Sequence, residues 1–125
     1  MYSVKIDTYF EAAHNLRSYK GKPEPLHGHS WKVEVEVVAD QLDPEEMAID
    51  FVELESEVKK FTSKLDYTYI NEVPPFTDIA PSAENIAKWI SEGLRPFVEK
   101  HHAHVQSVRV WEGRHASAAY IGLKK

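Results

Sequence analysis

The sequence predicts an α+β domain in which a four-stranded antiparallel sheet carries two helices on one face, in the order strand, strand, helix, helix, strand, strand. Three observations point there. Residues 31–37 read Trp-Lys-Val-Glu-Val-Glu-Val, a strict alternation that gives a strand one apolar and one charged face. Two later segments place apolar residues at three- and four-residue steps, the period of a helix buried along one stripe. A chain of 125 residues, 42% hydrophobic and 28% charged, has apolar material for one packed core and for one domain spanning residues 1–125.

The first strand is marked by Val4, Ile6, Thr8 and Phe10 alternating with Lys5, Asp7 and Tyr9, and Ala12 and His14 continue its apolar side. A loop containing Gly21, Pro23 and Pro25 leads to the second strand around residues 31–37. Asp50 is placed to cap the first helix, with Glu53 completing a box-like start. Phe51, Leu54, Val58, Phe61 and Leu65 form its buried stripe. Ser82 caps the second helix, which buries Ile86, Trp89, Ile90, Leu94 and Phe97, and Gly93 and Pro96 are expected to weaken or bend its end. Val105 to Glu112 and Ala116 to Leu123 are the last two strands, joined by the turn Gly113-Arg114-His115. The face bearing Lys32, Glu34 and Glu36 is polar. Four strands leave two sheet edges, so edge pairing between subunits is expected.

Composition excludes several functions. A net charge of -5, with 15 Lys and Arg thinly spread, offers no basic stripe for nucleic acid. The chain has no cysteine, which removes disulfides, thiolate ligands and a thiol nucleophile together. Neither a membrane-length apolar run nor a signal peptide is visible, so no membrane partner and a cytoplasmic location are expected.

Seven histidines stand at 14, 27, 29, 101, 102, 104 and 115. His27 and His29 share one side of extended chain, the side of Trp31, Val33, Val35 and Val37. If the first two strands form a hairpin, His14 reaches the same end of the same face. Three neutral imidazoles with an open fourth position suit a catalytic zinc ion, whereas each histidine alone would read as a satisfied core residue. His101, His102 and His104 read as solvated loop residues. Glu112 lies on the face of Val108 and Val110, and in sequential antiparallel order it arrives at the histidine end. There a carboxylate can accept from adjacent N–H donors of a ligand; an exposed strand-end acid is the plainer alternative.

The runs Phe10-Glu11-Ala12-Ala13-His14, His27-Gly28-His29, Asp50-Phe51, Leu65-Asp66, Pro81-Ser82-Ala83-Glu84-Asn85 and Trp111-Glu112 resemble, in this order, the 6-pyruvoyl tetrahydropterin synthases and the related 6-carboxytetrahydropterin synthases of the queuosine pathway. The resemblance implies the tunnelling fold (T-fold) and a hexamer of two trimeric barrels with sites at subunit interfaces. It also implies zinc held by His14, His27 and His29, a pterin substrate anchored by Glu112, and Ser82 and Glu84 lining the pterin pocket.

Two positions depart from that pattern. Pro23 stands where the family carries a cysteine, four residues before His27, and Tyr67 stands beside Asp66 where a relay histidine is usual. Glu24, between Pro23 and Pro25, instead resembles the branch that cleaves dihydroneopterin substrates to 6-hydroxymethyl-dihydropterin, a folate precursor. In that reading Glu24 is the base and Tyr67, with Asp66, a candidate proton relay, although a phenol is a poor base at neutral pH. Two alternatives stand beside the lyase: a zinc- and pterin-binding homologue without turnover, and an unrelated zinc hydrolase in which Glu24 activates water.

Overall fold

The computed structural model describes residues 1–122. Strands β1 (Tyr2–His14) and β2 (His27–Ala39) form a long antiparallel pair, followed by helix α1 (Phe51–Leu65) and the two-residue strand β3 (Thr68–Tyr69). Helix α2 (Ala83–Lys100) and strands β4 (His104–Glu112) and β5 (Ala116–Ile121) complete the order. The sheet has five strands, ordered β3-β1-β2-β4-β5, rather than the expected four. The added strand, β3, runs parallel to β1, opposite Ala12 and Ala13. It forms because the chain leaving α1 is tied to the free edge of β1: Asp66 Oδ1 accepts from Glu11 N–H at 2.9 Å, and Tyr67 N–H donates to the Glu11 carbonyl at 2.5 Å. A two-residue strand has no periodicity to betray it. The predicted end of β5 at Leu123 lies outside the described residues.

Alternation along β1 and β2 becomes burial as expected. Phe10, Trp31, Val33, Val35, Val37, Val108 and Val110 face the helices and are buried, while Glu34 and Arg109 pair on the opposite face. Asp50 Oδ1 accepts from Val52 N–H and Glu53 N–H, and Ser82 Oγ accepts from Asn85 N–H, so both caps act as predicted. Burial along α1 begins only at Leu54. Phe51, in the first turn, is 60% exposed and does not belong to the core as expected, whereas Thr62 does. No described helix is long and apolar enough to cross a membrane.

Helix α2 runs through Gly93 and Pro96 to Lys100. Gly93 admits the other helix: a Cβ there would lie 2.3 Å from Phe61 Cζ. Phe61 in turn packs edge-on against Trp89, with ring centroids 5.4 Å apart. Gly93→Ala should therefore destabilise the fold by about 1–3 kcal/mol through overpacking. In a Phe61→Ala background the same change should stabilise by up to about 1 kcal/mol through helix propensity. Urea unfolding of the four proteins checks the sign reversal; equal effects in both backgrounds would remove the contact as the cause.

Candidate active site

The register of the sheet builds this site. His14 lies directly opposite His27, Ala12 opposite His29, and Trp31 opposite Glu112, so three strands deliver four side chains to one end of the apolar face. Trp31 is their floor. Its indole N–H donates to the Ala12 carbonyl at 3.1 Å, and its ring meets those of His14 and His29 edge-on at 4.7 and 5.5 Å.

The ligand atoms of His14, His27, His29 and Glu112 all lie within 4.8 Å of one another, a set that could hold a metal ion. Glu112 Oε1 is 2.9 Å from His14 Nε2, 3.4 Å from His27 Nε2 and 2.9 Å from His29 Nε2. The other ring nitrogens fix the tautomers. His14 Nδ1 lies 2.7 Å from the Pro81 carbonyl and His27 Nδ1 lies 2.9 Å from the Pro25 carbonyl. A carbonyl only accepts, so both Nδ1 atoms carry the proton and donate, which in the neutral rings turns the Nε2 lone pairs toward Glu112. Lone pairs aimed at a carboxylate are satisfied by a proton on the ring or by a metal cation held among them, and the four-residue set has the donors for the latter.

His29 Nε2 is buried and makes no hydrogen bond, even with Glu112 Oε1 so near. Burial lowers the pKa of His29; Glu112 offsets part of this, and the neighbouring His27 and His14 lower it further. A neutral His29 with an unpartnered Nε2 suits a metal ligand better than a proton carrier. Burial alone would lower the pKa of His27, but the Pro25 carbonyl, Glu112 and Glu24 outweigh it and the pKa is raised. For Glu112 burial acts upward, yet the three histidines hold its carboxyl below the ordinary range, so it is an ionised acceptor.

Glu24 stands behind His27, its Oε1 3.8 Å from His27 Nδ1. Leu16 N–H donates to that oxygen at 3.0 Å, Glu24 N–H donates to the Leu16 carbonyl at 2.9 Å, and Asn15 Nδ2 donates to the Glu24 carbonyl at 3.0 Å. The second carboxylate oxygen has no hydrogen-bond partner among the described residues. Ser82 caps α2 one residue beyond the Pro81 carbonyl that holds His14, whereas Glu84 stands exposed in the first turn, outside the cluster. Asp66 is occupied by Glu11 N–H. Tyr67 is 84% exposed, at φ 57, and shares with His29, Glu11 and Ser30 an open depression of about 490 Å3. His101, His102 and His104 are exposed and apart from the cluster.

Sequence reasoning missed the groups that brace the site. Asn71, buried, donates through Nδ2 to the Asn15 carbonyl at 2.8 Å and accepts from Asn15 N–H at 3.1 Å; Tyr69 OH donates to Asn15 Oδ1 at 2.5 Å. Arg17 donates to the carbonyls of Ile79, Asn71 and Phe76. The position of Asn15 directly after His14 was the one available signal; backbone carbonyls carry none.

A sheet backed by two helices, with a three-histidine, one-carboxylate pocket at its end, defines a tunnelling-fold protein with a candidate metal centre. Residues 3–122 match the family described as 6-pyruvoyl tetrahydropterin synthase, and the chain belongs to that family, whose members process pterins. An Archaeoglobus fulgidus relative, provisionally named a 6-carboxy-5,6,7,8-tetrahydropterin synthase, is 35% identical over 87% of this chain and 86% of its own. A Pyrococcus furiosus relative named dihydroneopterin monophosphate aldolase is 32% identical over 83% of each chain. The 6-pyruvoyl tetrahydropterin synthase of Caenorhabditis elegans superposes with a TM-score of 0.81 at 21% identity, covering 98% of this chain and 96% of that one. A Plasmodium vivax 6-pyruvoyltetrahydropterin synthase, solved as a variant with a catalytic glutamate changed to alanine, superposes with a TM-score of 0.75 at 21% identity, covering 95% and 96%.

If the four-residue cluster is the metal centre, the protein should take up about one Zn2+ per chain. His14→Ala and His29→Ala should lose it while remaining folded, and His101→Ala and His102→Ala should keep it. Metal analysis after dialysis checks this; equal zinc in all four variants would place the ion elsewhere.

Proposed function

We propose that this protein is a zinc-dependent lyase that cleaves the side chain of dihydroneopterin, or a phosphorylated form of it, to 6-hydroxymethyl-dihydropterin. The observation that carries the reading is Glu24: in a chain without cysteine, it is a carboxylate held against the histidine cluster by backbone hydrogen bonds, with one oxygen left unbonded. The name of the Pyrococcus furiosus relative lends support, as does the use of a glutamate as a catalytic residue by the Plasmodium vivax protein.

His14, His27 and His29 would hold the zinc, which when bound supplies Lewis-acid polarisation of a side-chain hydroxyl. Glu24 accepts the proton of the 2′-hydroxyl. The C1′–C2′ bond breaks, its electron pair passes into the electron-poor ring, and C2′ leaves as the carbonyl of a two-carbon aldehyde. A proton returned to C1′ completes 6-hydroxymethyl-dihydropterin, and Tyr67, beside Asp66, is the candidate carrier. Glu112 anchors the pterin: a carboxylate offers about four lone-pair sites, so one acid can face both the cluster and the ring N–H donors. Ser82 and Glu84, at the start of α2, line the pterin side. Completing these pockets at subunit interfaces in a hexamer of two trimers is part of the proposal, as is a cytoplasmic setting in folate or queuosine biosynthesis.

Glu24→Gln should lower the rate of product formation by about 100- to 10,000-fold while zinc and pterin still bind. Mass analysis of the products checks it: an equally fast Gln variant would acquit Glu24, and a wild type inert toward dihydroneopterin and its phosphates would leave a zinc- and pterin-binding homologue. Glu112→Gln should weaken pterin binding by about 2 kcal/mol, because charge-assisted bonds become neutral and an NH2 group faces a ring donor. Unchanged affinity by calorimetric titration would remove Glu112 as the anchor.

A further inference from the structure

The face of the sheet turned away from the helices carries a cavity that the metal centre does not use. Lys32 pairs with Tyr9 on one side and with Trp111 on the other, so these three residues form a row across β1, β2 and β4. Their chain neighbours Phe10, Trp31 and Val110 are buried against the helices, and the row therefore projects from the opposite face. Because Lys32 follows Trp31 and Trp111 precedes Glu112, it lies back to back with the histidine cluster across the thickness of the sheet. Ser30, Gly113 and Arg114 complete the cavity toward the strand ends, enclosing about 340 Å3.

Its lining is aromatic and cationic and includes no acid. Tyr9 is 62% exposed in the middle of its strand. The indole N–H of Trp111 donates to Glu34 Oε1, which holds that ring in one orientation. Lys32 Nζ lies 5.9 Å from the centre of the Trp111 ring, within cation–π range, and 3.9 Å from both Asp7 Oδ2 and Glu34 Oε1. Neither carboxylate is close enough to accept a hydrogen bond, so the ammonium keeps its donors. Arg114 is exposed at the turn and has no side-chain partner among the described residues. Ser30 Oγ donates to Glu11 Oε1 at 2.7 Å and retains lone pairs that can accept. A flat ring held at a fixed angle is a stacking platform for a nucleobase. Two cations without an acid in the lining suit the charge of nearly two that a phosphate monoester carries at neutral pH, Arg114 through its planar fork and Lys32 as a point charge. A serine with free lone pairs suits a sugar hydroxyl.

We infer that this cavity is a binding site for a nucleoside monophosphate, separate from the metal centre, with the base stacked on Trp111 and the phosphate held by Lys32 and Arg114. The site stands apart from the lyase reading, and its test needs no turnover. AMP, adenosine and inorganic phosphate are each titrated into the zinc-loaded protein by calorimetry, with tryptophan fluorescence read in parallel. Wild type should bind about one AMP per chain, roughly tenfold or more tightly than adenosine or phosphate, and added salt should weaken AMP but not adenosine. AMP should quench tryptophan emission, and Trp111→Phe should remove the quenching. Lys32→Ala and Arg114→Ala should each lose most of the preference for AMP over adenosine while keeping their zinc. Trp111→Ala should weaken AMP and adenosine alike, by roughly tenfold. His14→Ala should bind AMP as wild type does even without zinc, because no residue of the metal centre lines the cavity. An absence of AMP binding, phosphate bound as tightly as AMP, or a preference for AMP that survives both Lys32→Ala and Arg114→Ala would overturn the site. So would AMP binding that disappears with the zinc in His14→Ala, which would place the nucleotide at the metal centre.

Discussion

Pairing of β1 with β2 in the register that sets His14 against His27 governs the whole functional end of the molecule. A slip of one residue would turn the imidazoles to the opposite face and expose Phe10, Trp31 and the valines behind them. Core burial and site assembly are therefore one constraint: the apolar residues that cannot be exposed hold the histidines in place. The pairing of β2 with β4 extends it, since Trp31 opposite Glu112 fixes where the carboxylate arrives.

On this frame the electrostatics of the site follow from groups outside it. The Pro81 and Pro25 carbonyls take the Nδ1 protons of His14 and His27, turning both Nε2 atoms inward toward Glu112 and the unpartnered Nε2 of His29. The carbonyls come from the lead into α2 and from the Glu24 loop. Helix packing, loop bracing through Asn15, Asn71 and Arg17, and donor geometry are thus coupled, and loosening either segment would free a ring to turn.

Much of this is legible in the sequence alone. Alternation at residues 31–37 marks β2 and its facing, and the i, i+2 spacing of His27 and His29 then places both rings beside Trp31. The caps at Asp50 and Ser82 are legible because their chemistry is local. What is not legible depends on contacts distant in sequence. β3 is held by Glu11, 55 residues from Asp66, and has no period of its own. Gly93 looks like a helix breaker because its role, admitting Phe61, belongs to another helix. Phe51 fits the stripe of α1 by angle but sits in the first turn, where burial has not begun. The carbonyls that orient the histidines are invisible in principle, because every residue has one.

Everything proposed for the site depends on three Nε2 atoms meeting at one cation. X-ray absorption at the zinc edge of the loaded protein tests that most directly. The expected coordination sphere contains three imidazole nitrogens at about 2.0–2.1 Å with one oxygen ligand, reduced to two imidazoles in His27→Ala loaded at saturating zinc. A coordination sphere made mainly of oxygen, or an imidazole count that His27→Ala does not change, would contradict it.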